Sequence, residues 1–418
     1  MLVGKARAGN LPELAQEVLV QDRAVLAASQ NYWQHLQAPS SPSNLVLYAL
    51  EAGRVLEYGT PESVGLLSWP FVQLEKNISA YLIPANYSSA TYNEIHPIYP
   101  GATVMIGHQG TIVSHFAVGE VVKYANENGS ELESDKKISA KLDTIYDMAS
   151  LTKVFTTILA LQQLERGLIG LNCTVSTYIP DFAVNGKENV TILQLLTHTA
   201  GFDADPVPPL WTGYASYIAR RQAIIRQGLL NRPGTTYLYS DLSFMTMQIV
   251  LEVVTGLTLD VLLERDFTGP LGMTDTFFNT GNLALDTSRI AATEFQIAVQ
   301  GADEPQRPQP VWGTVHDENA WSLDGVSGHA GIFSTSMNLG IFCQMILNNG
   351  KYGDVRILDL KTAGHTGFTG MSMVIDRPSN TFMVLLTNRV HPSRTWSSPN
   401  IAREMVGYWV RKAMGFGE

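Results

Sequence analysis

The stretch MASLTKVFTTILALQQLERG, residues 148–167, decides how the rest of the chain is read. Leu151, Val154, Phe155, Ile158, Leu161 and Leu164 recur with the helical period, which predicts an amphipathic helix over 150–166. Arg166-Gly167 supplies its stop signal. Ser150 and Lys153 stand at its start, three residues apart and therefore on one face, with the hydroxyl within reach of the amine. A helix N-terminus favours developing negative charge near Ser150. A lysine whose pKa is lowered by partial burial can help deprotonate such a serine. The plain reading is an N-cap serine with an exposed lysine one turn later. Ser-x-x-Lys arises by chance about once or twice in a chain this long. A second match, Ser134-Asp135-Lys136-Lys137, sits in a charged stretch with no apolar context.

Two further segments change that weighing. Tyr239-Ser240-Asp241 opens another helical pattern, and a tyrosine near a lysine and a serine can shuttle a proton. Gly364-His365-Thr366-Gly367 opens a strand. A glycine-rich strand edge lets a substrate lie against the backbone, and a free N–H there can complete an oxyanion hole. The chain has no phosphate-binding loop, dinucleotide glycine pattern, His-Glu-x-x-His helix or Gly-x-Ser-x-Gly elbow.

Outward from these motifs, Thr60-Pro61-Glu62 predicts a helix running to about Leu82. Residues 98–118 alternate around His-Gln-Gly as a hairpin, and a polar loop follows at 122–141. Helices are predicted at 191–197, 214–230, 241–255, 258–266 and 336–348. Strands at 367–375 and 381–387 and a helix at about 396–414 close the chain. The order of hairpin, helices, hairpin, helix predicts an α+β fold. Its antiparallel sheet is built from both ends of the chain and flanked by helices, with a mainly helical lobe inserted at about 168–335. Residues 12–37 read as a helix and 38–43 as a linker, so that 1–55 form an appendage to a domain spanning 56–418.

With 418 residues, 45% hydrophobic and 16% charged, the chain can bury a large core. Its 28 Lys and Arg against 38 Asp and Glu give a net charge of −10, which argues against nucleic-acid binding. Cys173 and Cys343 suggest neither a disulfide framework nor a zinc site. No apolar run is long enough to cross a bilayer. The N-terminus lacks a signal-peptide core, which predicts a cytoplasmic protein, whereas sequons at Asn77, Asn86, Asn128, Asn172 and Asn189 allow secretion.

Over roughly Val55 to Gly415 the sequence resembles the serine hydrolases related to class C β-lactamases, D-alanyl-D-alanine peptidases and family VIII carboxylesterases. The resemblance rests on Met-Ala-Ser-Leu-Thr-Lys (148–153), Leu-Leu-Thr-His-Thr-Ala-Gly (195–201) and Tyr239-Ser240-Asp241. Ser-Gly-His-Ala-Gly-Ile-Phe-Ser (327–334) and Gly-His-Thr-Gly-Phe-Thr-Gly (364–370) complete it. It implies a cofactor-free, metal-free enzyme in which Ser150 is acylated and Lys153 and Tyr239 handle its proton. By the same resemblance the backbone N–H groups of Ser150 and Phe368 are expected to form the oxyanion hole, beside His365, Thr366 and Gly367.

Three departures mark this chain. Asp241 stands where the family usually has Asn, and His365 where many members have Lys. Both favour a small ester or amide substrate over a β-lactam: a carboxylate at 241 repels an anionic substrate, and a histidine at 365 is neutral near pH 7 where Lys is charged. His365 also follows Leu358 by only seven residues, where members usually carry several tens, including a strand. That gap keeps a catalytically silent binding protein as an alternative, and an acyltransferase would use the same acyl-enzyme. His198, His329 and His316-Asp317-Glu318 read as structural loop and cap residues. The oligomeric state is not legible.

Overall fold

The computed structural model describes residues 53–87, 95–280, 286–296, 307–358 and 364–416. The predicted helix at 12–37 and linker at 38–43 lie outside them.

The main sheet takes β1 (Glu57–Tyr58), β2 (Gly101–His108), β3 (Thr111–Val122) and β4 (Ile138–Ser139) from the N-terminal side. β5 (Tyr146–Asp147), β6 (Phe277–Phe278) and β7 (Ile332–Ser334) form a small separate sheet, and β8 (Lys351–Tyr352) and β9 (Val355–Arg356) a short hairpin. β10 (Gly364–Thr366), β11 (Ser372–Asp376) and β12 (Thr381–Thr387) return to the main sheet, whose order is β1-β3-β2-β12-β11-β10, with β4 on β3. Pairing is antiparallel except between β1 and β3. The two chain ends meet where β2 pairs with β12, Val104 opposite Leu385. The first hairpin turns at Gln109-Gly110, both with positive φ, a geometry that follows the twist of the strands.

Successive residues point to opposite faces. Ala102, Val104 and Ile106 pack under α1 (Trp69–Ala80) and α10 (Asn400–Ala413) with Phe71, Leu74, Val406 and Val410. Met105, Phe382, Val384 and Leu386 face the other way, into the core shared with α2 (Thr152–Glu165) and α9 (Ser336–Leu347). The lobe between them carries α3 (Ile192–Leu196), α4 (Leu210–Gly213), α5 (Tyr217–Arg226), α6 (Asp241–Thr255), α7 (Leu259–Leu263) and α8 (Glu318–Ser322). No single helix among the described residues is long and apolar enough to cross a membrane.

The structure corrects four local expectations. The helix predicted from 60 to about 82 is a 3-10 turn at Pro61–Val64, stopped by Gly65 at φ +78°, before α1 restarts at Trp69-Pro70. The strand predicted over 367–375 is a turn followed by β11. Gly370 at φ +118° bends the backbone, and Gly367 N–H donates to the Met371 carbonyl at 3.0 Å. The predicted loop at 122–141 contains β4. Finally, α2 is buried nearly all round, Thr156, Thr157, Gln162 and Gln163 included, because it runs between sheet and lobe. Its buried donors bond to backbone carbonyls: Thr156 donates to that of Gly328 at 2.8 Å and Gln162 to that of Asp266 at 3.0 Å.

Candidate active site

Chain direction changes sharply between β5 and α2, and Ser150 sits on the bend. Ala149, just before it, has φ +45°, a conformation that side-chain-bearing residues adopt at a cost of about 1–3 kcal/mol. One turn on, Lys153 is 2% exposed, and its Nζ lies 3.0 Å from Ser150 Oγ, 2.7 Å from Asp241 Oδ1 and 3.1 Å from the His329 carbonyl oxygen. Oxygens therefore face the amine on several sides, one of them a carboxylate, an environment that suits an ammonium. Burial works to neutralise the lysine, but Asp241 and Tyr239 outweigh it and hold the pKa well above the ordinary value. The expectation of a lowered lysine pKa is thus reversed.

Tyr239 completes this cluster. Its hydroxyl is hydrogen-bonded to Lys153 and Ser150, and its ring centre lies 4.8 Å from Lys153 Nζ. Burial raises its pKa, although the Lys153 charge opposes the shift. His198 brackets it from both sides. Leu238 N–H donates to the His198 carbonyl at 3.0 Å, and Ser240 N–H to His198 Nδ1 at 3.0 Å. The imidazole also stacks on the Tyr239 ring at 4.5 Å. Burial, then the Lys153 charge, pushes its pKa down to about 3, so His198 is a neutral acceptor. Ser240 caps α6, accepting from Ser243 N–H, and thereby sets Asp241 at the helix start facing Lys153.

β10 brings the third motif alongside. A Cβ on Gly367 would stand 2.6 Å from the Met148 carbonyl oxygen, so only glycine lets this backbone approach the serine bend so closely. Neither the Ser150 nor the Phe368 amide donates a hydrogen bond among the described residues. The Phe368 ring is 48% exposed, with the Arg389 and Arg394 guanidinium carbons 4.4 and 5.7 Å from its centre. The His365 ring lies 6.2 Å from that of Tyr239, and its Nδ1 is 2.6 Å from the Thr366 carbonyl oxygen. Among the described residues β10 is the last strand of the sheet.

The remaining histidines and acids form the rim. Asp317 caps α8 through Ala320 N–H and pairs with His329 Nε2 at 2.9 Å, while His329 Nδ1 meets Ser327 Oγ at 2.7 Å. His316 pairs with Glu294 at 2.9 Å and Glu318 with Arg394 at 2.6 Å. Asp241, Asp317 and His329 bring one ligand atom each within 4.8 Å of one another, but Lys153 and the His329–Asp317 pair already account for their charges. Burial and the nearby Asp241 and Asp317 charges push the Asp205 carboxyl up to about 6. A cavity of about 640 Å³ lies elsewhere in the lobe, against Trp211, Arg220 and Trp321, and none of the predicted site residues lines it.

Sequence reasoning passed over His198 as an active-site neighbour, and also Asp205 and Asp147. For Asp147 one signal was available, an acid inside the apolar run Ile145-Tyr146-Asp147-Met148, three residues before Ser150.

A serine hydrogen-bonded to a buried lysine at the seam of an antiparallel sheet and a helical lobe defines a class of acyl-transferring serine enzymes. The Beta-lactamase family model matches residues 96–362, and the chain belongs to that family of serine hydrolases. A Salmonella agona protein provisionally named D-alanyl-D-alanine carboxypeptidase is 33% identical, over 72% of this chain and 81% of its own. That alignment runs over 353 positions, whereas 72% of 418 residues is about 301, so about 50 positions of the relative have no counterpart here. Among solved structures, the chain is similar to EstCE1, a hydrolase with promiscuous acyltransferase activity. That match has a TM-score of 0.60 and 18% identity, covering 82% of this chain and 99% of that one. The D-amino acid amidase of Ochrobactrum anthropi has a TM-score of 0.57 at 16% identity, covering 81% and 99%. At those identities the likeness shows the fold.

Proposed function

We propose that this chain hydrolyses small esters or amides through an acyl-enzyme on Ser150. The observation that carries the reading is the placement of Lys153 Nζ, 3.0 Å from Ser150 Oγ and 2.7 Å from Asp241 Oδ1. With Lys153 held as an ammonium, it is not the base that takes the serine proton. Tyr239, hydrogen-bonded to both Ser150 and Lys153, serves instead as a relay. As Ser150 Oγ attacks the carbonyl carbon, its proton passes to the Tyr239 oxygen and the Tyr239 proton passes to the leaving oxygen or nitrogen. The bond to the leaving group breaks, leaving an acyl-Ser150. Water then attacks along the reverse route, and the acid is released. The Lys153 charge lowers the cost of negative charge passing through the two oxygens, and the Ser150 and Phe368 amides receive the carbonyl oxygen.

Lys153 and His329 are already paired with Asp241 and Asp317, so neither is free to bind the carboxylate of an anionic β-lactam, which supports a neutral substrate. The same acyl-enzyme transfers to an alcohol if one outcompetes water, a reading favoured by the acyl-transfer activity of the structurally similar EstCE1. Incubation with p-nitrophenyl butyrate and a fluorophosphonate, with and without an added alcohol, tests both. Turnover and a single adduct by intact mass, both absent in Ser150→Ala, support the hydrolase. An ester product with the added alcohol identifies the transferase. A folded protein that takes no adduct and shows no turnover overturns the reading in favour of a silent binding protein.

A further inference from the structure

Asp147 lies on β5, 1% exposed, and no cation is paired with its carboxylate among the described residues. Every acceptor it offers is used, and each reaches a different segment of the active site. Its Oδ1 accepts from Ala149 N–H at 2.8 Å, and Ala149 is the positive-φ residue immediately before Ser150. Its Oδ2 accepts from His316 N–H at 2.6 Å; His316 lies 5.7 Å from the Phe368 ring, centre to centre, and precedes Asp317. Its own carbonyl oxygen accepts from Thr369 Oγ1 at 2.8 Å, and Thr369, fully buried, immediately follows Phe368. The two amides assigned to the oxyanion hole thus each stand one residue from a group bound to Asp147.

We propose that Asp147 is a positioning residue that fixes the distance between the two oxyanion-hole amides. It holds the Ser150 bend with its carboxylate and the Phe368 turn with its main-chain carbonyl. Burying a carboxylate with no salt-bridge partner is costly, and acceptor bonds from backbone N–H groups offset that cost only where the backbone is fixed. The strained Ala149 persists for the same reason, since a conformation of that kind survives only where its surroundings over-determine it. A hole acts on the charge that develops on the carbonyl oxygen, so small displacements of its donors cost rate and leave ground-state binding largely intact.

This inference rests on Ser150 as the nucleophile, and the test separates the two claims. Wild type, Asp147→Asn, Thr369→Val and Thr369→Ser are assayed on an aryl ester and on the matching thionoester, whose sulfur is a poor hole ligand. Asn presents an amide NH₂ to one of the two N–H donors, and Val removes the link to the Asp147 carbonyl while keeping shape. Both variants should lose kcat by about tenfold or more, with KM changed less than about threefold, since removing a hole donor outright costs roughly 10²–10³. Their ester-to-thionoester rate ratio should fall about fivefold or more, and Thr369→Ser should restore both values. A merely structural role lowers Tm and leaves that ratio unchanged, which would overturn the proposal. If Asp147→Asn does not fold, Thr369→Val, which deletes a single hydroxyl, decides the matter alone. If wild type shows neither turnover nor a Ser150 adduct, the catalytic reading fails and this inference falls with it. Turnover dependent on Ser150 with an unmoved ratio overturns the positioning role only.

Discussion

Lys153 Nζ stands 2.7 Å from Asp241 Oδ1, at the position where the enzymes this chain resembles usually carry asparagine. An asparagine oxygen would accept the same hydrogen bond without a charge. The carboxylate raises the Lys153 pKa against the effect of burial, and in the proposed mechanism the proton work falls to Tyr239. In the proposed mechanism the same acid therefore sets the protonation state of the cluster around Ser150.

Asp241→Asn should therefore destabilise the protein, by about 3 kcal/mol, because it leaves a buried ammonium without its counter-charge. The pH dependence has a definite sign. Lys153 has a folded pKa above its ordinary 10.5, so its contribution is fully present below 10.5 and is lost as pH rises through the folded value. The Tm gap between wild type and variant should be constant through neutral pH and narrow only above 10.5. Thermal melts from neutral to strongly alkaline pH check this, and equal Tm values at neutral pH would refute it. The variant should also gain rate on an anionic β-lactam relative to a neutral ester.

His198 predicts a separation between rate and binding. It holds the backbone on both sides of Tyr239 and stacks on its ring, whereas in the proposed mechanism other groups receive the substrate carbonyl. His198→Leu should lower kcat by about tenfold with little change in KM, through loss of orientation at the relay. His198→Asn should be milder, since Asn keeps an acceptor and tolerates the φ of +55° found here. With a pKa of about 3, His198 should contribute no inflection to a pH–rate profile between pH 5 and 8. Steady-state kinetics on the two variants decide it; a Leu variant with unchanged kcat would contradict the role.

Elements with strong local signals were legible. α6 begins at Asp241 and ends at Thr255 as its pattern predicts, because Ser240 caps one end and Gly256 adopts φ +70° at the other. The sheet built from both termini follows from hairpins at each end of the chain. Ser150, Lys153 and Tyr239, which sequence reasoning singled out separately, meet around one ammonium. Other features depend on partners far away in the chain. Asp147 binds residues 169 and 222 positions away, and His198 one 42 away, so no local pattern encodes those partners. Gly370 breaks an apparent strand because its positive φ leaves no trace in the strand-like residues around it. Thr156 and Gln162 look solvent-facing on a helical wheel, yet they face carbonyls of the lobe.

The Asp317–His329 pair gives a pH window for stability. The His329 charge holds the Asp317 pKa well below its ordinary 3.8 against the opposing effect of burial. Burial works to lower the His329 pKa, but Asp317 raises it above 6.5. The aspartate contribution is present above 3.8 and lost as pH falls through its folded value. The histidine contribution is complete below 6.5 and lost as pH rises through its own folded value. Both act between 3.8 and 6.5, so Asp317→Asn should lower Tm most in that window and progressively less at alkaline pH. Paired melts across the range test this, and a Tm difference that grows with alkalinity would contradict it.

Gly367 tests whether the β10 end and the serine bend act as one unit. A methyl added there meets the Met148 carbonyl oxygen at 2.6 Å, and that oxygen cannot simply turn away because it also accepts Leu151 N–H at 3.0 Å. Gly367→Ala should push β10 off the bend and separate the Ser150 and Phe368 amides. The expected cost is about 1–3 kcal/mol in stability, as for other overpacked sites. The loss in kcat should be larger than that alone implies, about tenfold to a hundredfold, because the displaced donors stabilise only the developing oxyanion. Gly228→Ala, where a new methyl would meet nothing within 4 Å, serves as the control and should match wild type in both respects. Rates of ester turnover and of phosphonate labelling at Ser150 should fall together in Gly367→Ala. A variant that keeps wild-type kcat despite a lowered Tm would show that the close approach supports the fold without setting the hole.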